Sequence, residues 1–140
     1  VTLAYSVIST PKYECLRMNG SGTTPATFAA RSVVMQCNAT KFLGTGSYNA
    51  AAVSTAFGSG ANNNNSAFTP SLTSLFINGA NETAVTAFNA SIIASYFDAT
   101  TYVGAVRDAN DLWYSGWTCN SATAALGTSV TGLCTSLPTF

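Results

Sequence analysis

Apolar and polar positions alternate in short bursts along this chain, and Gly, Asn and Pro separate the bursts. Stretches rich in Glu, Lys, Gln, Arg and Leu, which would build long amphipathic helices, are lacking, while Thr, Val, Ile, Tyr and Phe recur. The pattern predicts strands over Thr2 to Ser9, Tyr13 to Met18, Ala30 to Cys37, Ser71 to Ile77, Ala84 to Ala94 and Tyr102 to Val106, with a shorter one near Gly116 to Cys119. The Ala-rich stretch Tyr48 to Phe57 is the helix candidate. Val1, Leu3, Tyr5 and Val7 alternate with Thr2, Ala4, Ser6 and Ile8, a period of two that Pro11 ends. A strand so placed can pair within its own subunit or complete the sheet of a neighbour, and Val1 to Ile8 is the candidate donor strand. Asn62 to Asn65, flanked by Gly58, Gly60 and Ser66, cannot bury apolar area and predicts a surface loop. The expected fold is mainly β in a single domain over residues 1–140: a sandwich or a short solenoid-like stack with one or two short helices and two local disulfides.

Composition sharpens this picture. Apolar residues make up 47% of the chain and charged residues 7%, against roughly 25% charged in an average soluble protein. Thr, Ser, Asn, Ala and Gly replace the missing charge, and no apolar run approaches the roughly 20 residues of a membrane helix, so the chain is not expected to span a membrane. Starting at Val1 with neither Met nor a basic, apolar leader, it reads as an exported chain after processing. Cys15, Cys37, Cys119 and Cys134 occur with no His and no Cys-x-x-Cys pair, which points away from zinc, haem and thioredoxin-type sites. Of the three connectivities open to four cysteines, the clustering favours Cys15 with Cys37 and Cys119 with Cys134. Oxidised cysteines imply an extracellular or cell-surface location.

Charge is divided along the chain. Lys12, Glu14, Arg17, Arg31 and Lys41 give the chain up to Lys41 a net charge of plus three, and Glu82, Asp98, Arg107, Asp108 and Asp111 give the rest minus three. Such a split suits head-to-tail stacking of copies, and it offers no basic patch for nucleic acid.

Catalytic chemistry finds little support. There is no His to act as a base near neutral pH, and the acids offer no clear carboxylate pair, so an enzyme is not expected. Asp108, Asn110 and Asp111 form an oxygen-rich run, a weak calcium candidate without the Gly and bidentate Glu of an EF-hand; the alternative is a turn closed by its own side chains. No cofactor is implied. Trp113, Tyr114 and Trp117 suit a subunit interface, a core or a sugar-stacking surface. Sequons begin at Asn19, Asn38, Asn64, Asn81 and Asn89, so surface glycans are a further candidate partner.

The stretch from Tyr96 to Leu137, with Tyr102-Val103-Gly104-Ala105-Val106, Arg107-Asp108-Ala109-Asn110-Asp111 and Trp113-Tyr114-Ser115-Gly116-Trp117-Thr118-Cys119, resembles the closing segment of large secreted β-solenoid proteins of Gram-negative bacteria. The resemblance covers about 40 of the 140 residues. Together with Gly132-Leu133-Cys134 it supports pairing Cys119 with Cys134, and it implies no catalytic residues. The long repeat body of those proteins is absent, and no regular 20-residue period marks this chain as a solenoid of its own. These readings converge on a structural subunit of an extracellular filament, pilus-like fibre or surface layer. Copies would join by apolar contacts and terminal-strand pairing, with Val1, Leu3, Tyr5, Val7, Trp113, Tyr114 and Trp117 as interface candidates. The alternative is a monomeric adhesin or carbohydrate-binding module that uses the same aromatics.

Overall fold

Two turns of chain lie on top of one another in a computed structural model that describes residues 1–21, 27–115, 118 and 119. The first turn holds strands β1 (Thr2–Ala4), β2 (Val7–Thr10) and β3 (Leu16–Gly20), and the second holds β4 (Ala29–Arg31), β5 (Val34–Cys37) and β6 (Phe42–Gly46). Each strand pairs in parallel with its counterpart one turn later: Thr2 with Ala29, Val7 with Val34, Leu16 with Phe42. The result is three two-stranded walls. They surround one interior, because Leu3 and Ala30 from the first wall, Ile8 and Met35 from the second, and Leu16 and Phe42 from the third belong to a single apolar cluster. Of the two architectures expected from the sequence, the solenoid-like stack is the one that forms.

The walls meet at corners made by backbone geometry. Tyr5 and Ser32 occupy equivalent places between the first and second walls, and both adopt positive φ, 52° and 51°. A left-handed residue turns an extended chain sharply, so the expected strand Thr2 to Ser9 breaks into β1 and β2, and Ala30 to Cys37 into β4 and β5. The corner also resets side-chain parity. An unbroken period of two would set Leu3, Tyr5 and Val7 on one face; instead Leu3 and Ile8 share the interior.

A helix covers one side of the stack. The helix α1 (Ala50–Phe57) begins at Asn49, whose side chain accepts from the Ala52 N–H at 2.8 Å. It ends at Gly58 in the left-handed region. Its buried residues, Val53 and Phe57, lie four apart and so on one face. Phe57 enters the interior with its ring 5.5 Å from that of Phe42, and burying a side chain of this size contributes roughly 2–3 kcal/mol. Gly44 in β6 makes the approach possible, since a Cβ there would meet the Asn49 backbone at 2.6 Å.

The far edge of the second turn is sealed by the asparagine tract expected to be a surface loop. Asn62 and Asn63 adopt positive φ, which asparagine tolerates, and Asn65 bridges Val34 in parallel. Asn64 is 2% exposed. Its side chain accepts from the Val33 N–H at 3.1 Å and donates to the Ala30 and Phe57 carbonyls, both at 2.9 Å. One amide thus satisfies three buried backbone groups that would otherwise lack partners.

The remaining described chain wraps the first corner in irregular form. The strands expected over Ser71 to Ile77 and Tyr102 to Val106 reduce to isolated bridges, Thr73 with Ile77 and Ile77 with Val106. The one expected over Ala84 to Ala94 lies beyond α2 (Ala80–Thr83) and includes a 3-10 helix at Ala90–Ile92. Gly116 and Trp117, part of another expected strand, lie outside the described residues. The Ser32 hydroxyl donates to the Thr86 carbonyl at 2.8 Å, Ala90 N–H donates to the Tyr5 hydroxyl at 2.6 Å, and Arg31 stacks over Phe88.

Cys15, just before β3 in the first turn, is bonded to Cys37 at the end of β5 in the second. The bond staples one turn to the next. Cys119 is also oxidised; Cys134, expected to be its partner, lies outside the described residues. No described helix is long and apolar enough to cross a membrane.

Candidate functional site: an open strand edge

A parallel ladder sends the N–H and C=O of alternate residues to opposite sides of each strand. In the first turn the Val1 carbonyl accepts from Ala29 N–H, the Ser6 carbonyl from Val34 N–H, and Leu16 N–H donates to Lys41, all directed at the second turn. The alternation turns Thr2 and Ala4, Val7 and Ser9, and Arg17 and Asn19 the other way. Among the described residues no third strand covers that side. The Ala4 carbonyl accepts from the Ser6 hydroxyl, and Gly104 N–H reaches the Tyr5 carbonyl at 2.6 Å, closing the edge at the corner. Gly104 has φ of 83°, and a Cβ there would lie 2.6 Å from Asn78 Oδ1 and 3.3 Å from Val7 Cγ2.

Apolar surface flanks this edge. A cavity of about 290 Å³ lies between Thr2, Leu3 and Ala4 on one side and Ala90, Ile93 and Phe97 on the other. A second, of about 480 Å³, borders Ser6 and Val7 and is walled by Leu72, Leu75 and Phe76. Leu75, Ile92, Ile93, Tyr96 and Phe97 are exposed, Tyr96 at 89%. Grouped exposed apolar side chains of this kind mark contact surfaces in soluble proteins. Sequence reasoning misses this ledge, because residues 92–97 show no period and the first of them read as the end of a strand.

The expected interface residues do not form one patch. Val1 is exposed, with its amino group on the Thr27 carbonyl. Leu3 packs against the interior, Tyr5 holds the corner, and Val7 sits beneath Gly104. Tyr114 is buried edge-on against Phe76 and Trp113, at ring distances of 5.4 and 6.3 Å. Trp113 remains 62% exposed, its indole N–H fixed on the Ala105 carbonyl at 2.7 Å. Trp117 lies outside the described residues. The Val1 to Ile8 segment is paired at home through β1 and β2, the first of the two options open to it.

Beside Trp113, the carboxylates are engaged in turn closure. Asp108 accepts from the Asn110 N–H at 2.8 Å and from Arg107 Nε at 3.0 Å, and Asp111 accepts from the Arg107 N–H at 2.9 Å. The Asn110 amide and then Arg107 hold the Asp108 carboxyl below its ordinary value. Burial, followed by the charge of Asp111, pushes the Tyr102 phenol up. Among the described residues no group of three or more His, Cys, Asp or Glu side chains is placed to hold a metal.

Glu82 is, among the described residues, the one carboxylate fully removed from solvent. It accepts from Ser71 N–H at 2.8 Å, Ser71 hydroxyl at 2.7 Å and Gly79 N–H at 3.0 Å. Burial alone would raise its carboxyl, but the Ser71 hydroxyl and the Ser71 and Gly79 amides outweigh that and hold it below the ordinary value. Its role is to tie the loop before β-bridge residue Thr73 to α2, and nothing in its neighbours in sequence announces it.

The sequons divide by exposure. Asn19, Asn81 and Asn89 are exposed, Asn38 is partly buried with its amide on the Lys12 carbonyl, and Asn64 is enclosed. In comparisons with protein-family models, with curated proteins and with solved structures, nothing matches the chain.

Proposed function

We propose that this chain is a structural subunit of an extracellular filament, pilus-like fibre or surface layer, held to its neighbours by main-chain pairing and apolar contact. The observation that supports this reading best is the asymmetry of the stack. Its second turn is sealed by Asn64 and α1, while among the described residues no third strand covers the outer edge of the first turn, which lies beside exposed Leu75, Ile93 and Phe97. An uncovered edge is a template for association, and only three charged side chains, Lys12, Glu14 and Arg17, fall between Val1 and Gly20 to oppose it. The disulfide between turns is compatible with an oxidising, extracellular setting. The resemblance of residues 96–137 to the closing segment of secreted β-solenoid proteins agrees with the same setting.

Electron microscopy and sedimentation of the concentrated protein test this. Ordered fibres or sheets are the expected outcome, and a single species of 14.4 kDa at all concentrations would reject it. The second reading, a monomeric adhesin or carbohydrate binder, is favoured by the exposed and orientationally fixed indole of Trp113. Saturable change in tryptophan fluorescence with soluble glycans, lost in Trp113→Ala, would select that reading instead.

A further inference from the structure

We propose that Asn89 is a glycan attachment site and that the innermost sugar lies in the groove beside it, lined by Thr83, Val85, Thr86, Thr100 and Thr101. The inference rests on the extracellular setting of the reading above and not on assembly. The sequon pattern alone leaves Asn19, Asn38, Asn64, Asn81 and Asn89 equivalent, and what each amide nitrogen does in the fold separates them. Attachment replaces one N–H of that nitrogen, so a nitrogen held against protein carbonyls has less freedom to carry a sugar. Asn64 Nδ2 donates to the Ala30 and Phe57 carbonyls, Asn38 Nδ2 to that of Lys12 and Asn81 Nδ2 to that of Thr69. Asn89 is exposed, and its bonds fall on the other end of the amide: Oδ1 accepts from the Ser91 N–H at 3.0 Å and from the Ser91 hydroxyl at 2.7 Å. A backbone N–H can only donate, which fixes the atom it meets as the oxygen and turns Nδ2 away from Ser91. A sugar on Nδ2 therefore leaves both Ser91 contacts in place.

Surroundings decide between Asn89 and Asn19. Asn19 lies within β3 in register with Thr45, and the groove it borders is lined by the apolar side chains of Leu16, Met18 and Phe28. The groove at Asn89 has a volume of about 450 Å³ and mixes the Thr side chains, each a hydroxyl and a methyl, with Val85. A sugar ring is amphipathic in the same way, with an apolar C–H face and a rim of hydroxyls, and the volume falls among the roughly 300–1,000 Å³ of small-ligand sites. The Thr83 hydroxyl donates to the Gly79 carbonyl at 2.9 Å, so its oxygen is left to accept from a sugar hydroxyl. The transfer draws on an activated glycosyl phosphate held on a lipid or nucleotide carrier. Asn89 Nδ2 forms the bond to the anomeric carbon, the bond from that carbon to the phosphate oxygen breaks with its electron pair on the oxygen, and a base of the transferase takes the amide proton.

Secretion of the full chain from a host that N-glycosylates its exported proteins, followed by peptide mapping, tests this. Enzymatic release that converts an occupied Asn to Asp is expected to mark Asn89 as the principal site, and principal occupancy at another sequon, or at none, overturns the proposal. Ser91→Ala removes the hydroxyl the sequon requires and is expected to abolish the mark, while Ser91→Thr should keep it; a Ser91→Ala chain still carrying sugar on Asn89 overturns the assignment. The groove is read separately, by NMR on the unmodified sequence with its glycan in place. Cross-relaxation between protons of the innermost sugar and the methyls of Thr86, Thr100 or Thr101 is expected, and a sugar on Asn89 that contacts none of them overturns the groove. These readouts are made on single chains, so they stand apart from assembly. Fibres built from a chain bare at Asn89 reject the site alone, and a glycosylated chain that is monomeric at every concentration rejects the filament reading alone.

Discussion

Asn64 does with one side chain what a further strand would do for the top of the stack. Leaving a buried backbone group unpaired costs roughly 1–3 kcal/mol, and this amide serves three of them. Asn64→Ala is therefore expected to lower stability by about 3 kcal/mol or more, read as a fall in the denaturant midpoint with unchanged slope. Asn64→Asp should be nearly as damaging, because a carboxylate cannot donate to the Ala30 and Phe57 carbonyls. The enclosure also bears on modification. In a glycosylating host, peptide mapping should find sugar on some of Asn19, Asn81 and Asn89 and none on Asn64 of the folded protein. Tract composition alone points to a polar loop; which of four consecutive asparagines turns inward is set by two left-handed residues in the backbone and is not visible in a run of identical letters.

At the scale of elements, Glu82 makes the loop around Ser71 and the start of α2 sensitive to acid. Its folded carboxyl lies below the ordinary value of 4.5, so the stability it contributes is fully present above about pH 4.5 and is lost as pH falls through the lower, folded value. Unfolding midpoints of the native protein should decline across that acidic range, and Glu82→Gln should flatten the decline while costing roughly 1–3 kcal/mol at neutral pH through its mismatched hydrogen bonds. The helix was legible from the Ala-rich stretch, and the segments β1 with β2, and β4 with β5, were legible as apolar runs. Their breaks were not. A tyrosine and a serine at positive φ carry no local signature of a corner, and β6, with Gly44 and Gly46 inside it, lacks the β-branched residues that mark a strand apart from Thr45.

For the molecule as a whole, the repeat is written in backbone registration rather than in residue type. Of the paired positions only Val7 with Val34 and Gly20 with Gly46 repeat the same residue, which is why no period is visible in the sequence. Clustering of the cysteines, by contrast, did favour the Cys15–Cys37 pairing that forms. Replacing Cys15 and Cys37 by Ala removes a cross-link with a sequence separation of 22 and is expected to cost about 3 kcal/mol; thermal melts with and without reductant on the native protein check the same quantity.

The first and second walls advance by the same step from one turn to the next, Thr2 to Ala29 and Val7 to Val34, whereas the third, Leu16 to Phe42, advances by one position fewer. One residue has been dropped where the chain bends from the second wall to the third, between Thr10 and Leu16 below and between Cys37 and Phe42 above, and the ladder resumes in step. That bend is thus the place where the ratchet tolerates a change in length, though Cys15–Cys37 and the Asn38 N–H to Tyr13 carbonyl bond tie its two levels together. A foreign peptide spliced beside the exposed Tyr13 should be displayed there without turning any wall inside out.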